Sequence, residues 1–292
     1  MTRHRVRGHD PAVSKEPAAH TARSHRSLAA SEALALFELG IGQNAEETLA
    51  TSAAAWFLPG NMLDPVVVFA DVPAPDGYAK VLCDWLAGPA PTDLHTVAGR
   101  LADRITCTRP QPLILVGHSA GGVLAMLVAL RVPGKVHGLI VLNTGAHTDS
   151  QRNPDMPDRV RHHFGPELVG EFVDRCHARP LKPGMRDALI RHALHGSPQR
   201  YLDAFVSIRR IDLRPELARI QCPTVVVYGR MDQIRQASDA HELATGIPSS
   251  ELIPSDSGHS SPLEDPDTVQ RALSSIAARI ACHAADPPSP PR

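Results

Sequence analysis

No apolar run in this 292-residue chain approaches the ~20 residues that a helix needs to cross a bilayer. Excess charge is missing too. Lys and Arg number 30 against 31 Asp and Glu, and the formal net charge of -1 supplies no field for nucleic acid or an anionic membrane. Cysteine is scarce and odd in number. Cys83, Cys107, Cys176, Cys222 and Cys282 show neither CxxC nor Cys/His ligand spacing, so free thiols in a reducing, cytoplasmic setting are expected rather than disulfides or zinc. His192 and His195 stand three apart on a helical pattern without a third ligand at sensible spacing, so no metal is expected. The first 31 residues carry Arg3, Arg5, Arg7, Lys15, Arg23 and Arg26 but no apolar segment of the secretory type, and read as a mobile basic tail. Residues 282–292, dominated by Ala, Pro and Ser, read as a disordered tail.

What remains is a 42% hydrophobic, 21% charged chain long enough for one large domain, or for a core with an insertion. Five short apolar runs, at 33–37, 66–70, 113–116, 139–142 and 224–228, lack polar alternation, as strands buried on both faces do. Between them Leu94, Val97, Ala98, Leu101 and Ile105 fall at helical spacing, with Thr92 or Asp93 as N-cap. Val269, Ala272, Leu273, Ile276 and Ile280 repeat the pattern behind Pro266. This alternation predicts an α/β fold with a mostly parallel sheet flanked by helices. It is interrupted at 147–215, where helix-like pieces at 167–176, 185–194 and 200–208 occur without a strand. An all-helical insertion between two strands suits a cap over the strands' C-terminal ends. The expected organisation is therefore a core of 32–146 and 216–281, a helical cap of 147–215, and two tails. The cap's 12 Lys and Arg against 9 Asp and Glu name no anionic substrate.

Gly117-His118-Ser119-Ala120-Gly121 is the stretch that carries chemistry. An apolar strand pattern leads into it and an apolar helical pattern, 123–130, leaves it. A serine hydroxyl is a poor nucleophile, so it must be exposed, delivered to a base and matched by donors to the oxyanion it creates. A sharp strand-to-helix turn exposes Ser119, and small residues at 117 and 121 allow the close backbone approach such a turn demands. The partners should follow in the order acid, then histidine. Asp232 lies just past the strand pattern at 224–228, with Asp149 as the alternative acid after 139–142. His259, in Ser257-Gly258-His259-Ser260, follows Asp232 by 27 residues, room for one helix and one short strand. His118, beside the nucleophile, reads as a pocket wall.

On these residues the chain, from about residue 33 to 281, resembles the α/β-hydrolase superfamily. Residues 113–122 resemble its strand, elbow and nucleophile helix; 223–232 and 257–266 resemble the segments bearing acid and histidine. Asp71-Val72-Pro73 looks like the family's Asp-Leu-Pro-Gly turn after an earlier strand. The resemblance implies a Ser119, Asp232, His259 triad and an oxyanion hole from the N–H groups of Ala120 and Ile41. The latter lies in Leu39-Gly40-Ile41-Gly42, where Leu39 replaces the family's histidine and Glu38 is unusual for a strand end. A serine nucleophile argues against epoxide and haloalkane hydrolysis, and Ala120 in place of Trp argues against prolyl aminopeptidase activity. Leu142-Asn143-Thr144-Gly145-Ala146 and the cap are similar to enol-lactone hydrolases. The expectation is a cofactor-free serine hydrolase of a small ester or lactone. A carbon–carbon bond hydrolase, a thioesterase or tailoring enzyme, and a catalytically weak ligand-binding homologue stay open, as do monomer and homo-oligomer.

Overall fold

The computed structural model describes residues 53–107, 112–150 and 155–285. Six strands form one parallel sheet: β1 (Ala54–Leu58), β2 (Ala79–Leu82), β3 (Leu113–His118), β4 (Gly138–Leu142), β5 (Thr224–Gly229) and β6 (Ser250–Ser255), in the order β2-β1-β3-β4-β5-β6. Every residue of β1, β3 and β4 is buried, which is why these segments read as continuous apolar runs. The chain leaves β1 toward one edge of the sheet and returns to β3 on its other side. The strand order therefore reverses between β1 and β3, and open α/β sheets bind ligands at the C-terminal ends of such a crevice.

Helices cover both faces. Before β2 comes α1 (Pro65–Val68); α2 (Leu94–Cys107) follows β2 and α3 (Ala120–Arg131) follows β3. The stripe foreseen in α2 is buried, and Asp93 is its cap, accepting the Thr96 N–H at 3.0 Å. In α3 the run from Ala120 to Ala129 is buried all round, as suits a helix lodged between the sheet and α2. Between β4 and β5 lie α4 (Met156–His163), α5 (Pro166–Arg175), α6 (Met185–His195) and α7 (Pro198–Ile208), then a 3₁₀ turn at Arg214–Arg219. No strand occurs among the described residues of this insertion. Its helix α7 reaches α2 and α3, and Thr92 Oγ1 donates to Arg200 O at 2.9 Å. After β5, α8 (Ala237–Gly246) leads to β6, and α9 (Ser261–Glu264) with α10 (Pro266–Ala285) completes the described fold.

Three expectations from the sequence change. Residues 66–70 are not a strand: Asp64 Oδ1 accepts the Val66 N–H at 2.8 Å and Pro65 occupies the first helical position, so capping overrides the β-preference of three valines. Val66 is 62% exposed, which no strand buried on both faces would allow. The Asp71-Val72-Pro73 turn consequently follows a helix. Two strands, β1 and β2, were not foreseen; alanine fills the start of the first, and Lys80, whose ammonium donates to Phe69 O, marks the second as an edge. Finally, α10 runs to Ala285, past the predicted tail boundary at 282, because no helix breaker intervenes before Pro287. The strand expected at 33–37, with Glu38, Leu39 and Ile41, lies outside the described residues.

Candidate active site

Ser119 sits at the tip of the turn from β3 to α3 with φ 53° and ψ −117°, a backbone conformation that side-chain-bearing residues rarely adopt. Neighbouring backbone holds it there. Ser119 N–H donates to Leu142 O at 2.9 Å and Thr144 Oγ1 donates to Ser119 O at 2.8 Å. The turn also needs its glycines: a Cβ on Gly117 would stand 2.3 Å from Gly121 O, and one on Gly121 would stand 2.2 Å from Leu58 O. The elbow is thus pressed against the exit of β1, the other lip of the crevice.

The distant carboxylate and imidazole meet at this point. His259 Nε2 lies 2.9 Å from Ser119 Oγ, and His259 Nδ1 lies 2.8 Å from Asp232 Oδ2. Asp232 Oδ1 accepts the N–H groups of Ile234 and Arg235 at 2.8 and 2.9 Å. Burial pushes the Asp232 carboxyl upward, but His259 and these backbone donors outweigh it and hold the acid below the usual carboxylate range. An ionised Asp232 fixes the proton of His259 on Nδ1, which leaves Nε2 free to accept from the serine. Asp149 is 72% exposed and pairs with His147 and Arg214, away from His259.

Several supporting groups escaped the sequence reading. Asn143, at φ 51° just past β4, donates from Nδ2 to Gly258 O at 3.0 Å and to Asp232 Oδ2 at 3.3 Å. Its Oδ1 accepts the Ser261 N–H at 3.3 Å, so one amide ties the acid loop to the histidine loop. The only signal available was its place at a strand's C-terminal end. The segment that reaches the serine from β1 is Pro59-Gly60-Asn61: a Cβ on Gly60 would lie 3.2 Å from Ser119 Cβ. Trp85 Nε1 donates to Pro59 O at 2.9 Å, Asn61 Nδ2 donates to Tyr201 O at 3.1 Å, and Met62 is held at φ 65°. Ala120 opens α3, where N-terminal amides favour negative charge.

His118 is fully buried, with Nε2 2.7 Å from His259 O. Carbonyl oxygen only accepts, so Nε2 carries the proton and His118 holds the backbone of His259. Burial, with the neighbouring His259 adding to it, pushes His118 down to about 3 from an ordinary 6.5. The unfolded chain binds this proton near pH 6.5 while the folded chain resists it to about 3. Stability from this group is therefore complete above about pH 6.5 and lost as pH falls toward 3. Urea titrations across that window should show a decline on the order of a few kcal/mol that is flattened in His118→Gln. An equal decline in the variant would show that the proton is taken up elsewhere.

His192 and His195 line a separate cavity of about 480 Å³ with Asp84, Leu86, Arg200 and Tyr201, which none of Ser119, Asp232 and His259 borders. His192 lies 3.8 Å from both Asp64 and Asp84, and burial raises the Asp84 carboxyl. Among the described residues no group of three or more His, Cys, Asp or Glu is arranged to hold a metal ion, and no helix is long and apolar enough to cross a membrane.

Known proteins share this architecture. The AB hydrolase superfamily protein YisY of Bacillus subtilis is 28% identical over 193 residues, 62% of this chain and 72% of that protein. A pimeloyl-acyl-carrier protein methyl ester esterase of Chromobacterium violaceum is 30% identical over 179 residues, 56% of this chain and 69% of that protein. A malate-bound thermophilic esterase from Thermogutta terrifontis shares the fold, with a TM-score of 0.67 at 24% identity over 79% of this chain and 91% of that one. The family model of the alpha/beta hydrolase fold matches residues 87–266, a stretch that holds the elbow, the acid and the histidine and exceeds half of the chain. The chain is a hydrolase of the α/β-hydrolase family.

Proposed function

We propose that the protein cleaves a small carboxylic ester or lactone through an acyl-enzyme on Ser119. The observation that carries this reading is the unbroken relay from Ser119 Oγ to His259 Nε2 at 2.9 Å and from His259 Nδ1 to Asp232 Oδ2 at 2.8 Å. His259 takes the hydroxyl proton as Oγ attacks the carbonyl carbon, and Asp232 balances the imidazolium that forms. The tetrahedral oxyanion is held by the Ala120 N–H and by an amide of the β1 exit loop, Asn61 being the residue beside Gly60. Ile41, the expected second donor, lies outside the described residues. Collapse expels the alkoxide, which leaves with the proton from His259. Water then gives His259 a proton as it attacks the acyl carbon, and the acid departs from a regenerated Ser119.

The four helices of 147–215 act as the cap that shapes the substrate space, pinned at one side by Asn61 and Thr92 and at the other by Glu264. The methyl ester esterase from Chromobacterium violaceum supports ester chemistry, and free thiols, including buried Cys83 and Cys176, suit a cytoplasmic enzyme. One preparation assayed against p-nitrophenyl esters, lactones, thioesters and a vinylogous diketone separates the chemistries. Turnover of small esters or lactones well above the others is expected. Preferential diketone cleavage would make the protein a carbon–carbon hydrolase, preferential thioester cleavage a thioesterase, and no turnover at all a ligand-binding homologue.

A further inference from the structure

The turn leaving α5 carries a histidine that the relay does not use. Glu264 accounts for its place: Oε1 accepts the N–H groups of Ala178 and Arg179, each at 2.9 Å, while Oε2 accepts the Gly258 N–H at 2.8 Å. One carboxylate thereby staples the residues after His177 to the residue before His259. The approach is tight, since a Cβ on Gly258 would stand 2.7 Å from Ala178 N. His177 is held in the cap beside the histidine loop, and burial, with His259 adding to it, lowers its imidazole below the ordinary histidine value.

Its tautomer is fixed. Nδ1 lies 2.6 Å from Val173 O, which can only accept, so Nδ1 carries the proton and Nε2 presents a lone pair. That Nε2 is buried and has no hydrogen-bond partner among the described residues. The β1 exit loop repeats the situation. Asn61 spends its Nδ2 on Tyr201 O, which fixes the amide's orientation and leaves Oδ1 buried, again without a partner among the described residues. Asn61 follows Gly60, on which a Cβ would stand 3.2 Å from Ser119 Cβ. Two acceptors, one beside the loop that carries His259 and one beside the residue that approaches Ser119, are thus left without matching donors among the described residues. Buried acceptors left unmatched are costly, and a substrate that brings the donor relieves that cost.

We propose that His177 Nε2, seconded by Asn61 Oδ1, selects substrates that carry a hydroxyl or amide N–H near the scissile carbonyl over their purely alkyl counterparts. This specificity rests on the Ser119 hydrolase reading. A site built to hydrogen-bond a substrate hydroxyl discriminates strongly against analogues that lack it, whereas an apolar pocket discriminates weakly.

The test uses p-nitrophenyl esters whose acyl chains bear a hydroxyl at successive carbons, and acetate esters of diols, each paired with its methyl ether. The ratio of kcat/KM within a pair cancels any general loss of activity. Wild type should prefer at least one hydroxyl member by about tenfold or more. The preference should fall toward unity in His177→Phe and return in part in His177→Gln, whose side-chain oxygen can accept. Fluorophosphonate labelling of Ser119 is followed in every variant. Equal turnover of hydroxyl and ether by wild type, or a preference that survives His177→Phe, overturns the assignment while labelling persists. Unlabelled wild type overturns the hydrolase reading and the specificity with it.

Discussion

His259→Ala should lower ester hydrolysis by about 10⁴-fold or more, leaving a residue of catalysis from binding and the oxyanion donors alone. Its ring is the only described group joining Ser119 Oγ to Asp232, at 2.9 and 2.8 Å, so its loss strands the serine proton. Asp232→Asn should fall by a similar factor for a different reason. Oδ1 accepts two backbone N–H groups, so the amide of an asparagine must keep its oxygen there and turn its NH₂ toward His259. A donor facing Nδ1 moves the imidazole proton to Nε2, and the base can no longer accept from Ser119. Both variants should retain the wild-type circular dichroism. Wild-type rates in either, on a substrate that Ser119→Ala cannot turn over, would place the base or the acid elsewhere.

Gly121→Ala should cost more stability than any surface change, more than about 4 kcal/mol. The added methyl would meet Leu58 O at 2.2 Å and Pro59 O at 2.5 Å, both backbone atoms, so no flexible side chain can give way. Relief requires β1 to shift against β3, its hydrogen-bonded neighbour, which would also spread the crevice that holds the site. Thermal unfolding should drop by roughly 10 °C. Gly99→Ala is the control: the glycine lies inside α2 with open space around it, and alanine there should raise stability by up to about 1 kcal/mol. A Gly121→Ala melting curve matching wild type would mean that the elbow and the β1 exit are not in contact.

Ser119, Asp232 and His259, which the fold brings together, were legible in the sequence because residue type and strand-end position are both visible within a few neighbouring residues. The parallel α/β alternation was legible for the same reason, as β3, β4 and β5 are buried on both faces. Misreading began where short-range and tertiary effects compete. Three valines at 66–68 outweighed the Asp64-Pro65 start in a reading by propensity, while in the fold the cap wins. The alanines of β1 hid a central strand, and with it the loop that approaches Ser119; that loop carries Pro59-Gly60 where the family resemblance led to a search for His-Gly around Leu39. Asn143 acts through partners 89 to 118 positions away, and Glu264 reaches Ala178 and Arg179 across 86 and 85 positions, pairings that no local pattern encodes. His118 read in the sequence as a pocket wall; its hydrogen bond to the His259 backbone depends on a fold contact spanning 141 residues.

The central claim is that Ser119 is an activated nucleophile. Intact-mass analysis after exposure to a fluorophosphonate, followed by peptide mapping, tests it most directly. One adduct per chain on Ser119, absent in Ser119→Ala and strongly slowed in His259→Ala, is the predicted result. Folded wild-type protein that acquires no adduct, or acquires it on another residue, would contradict it.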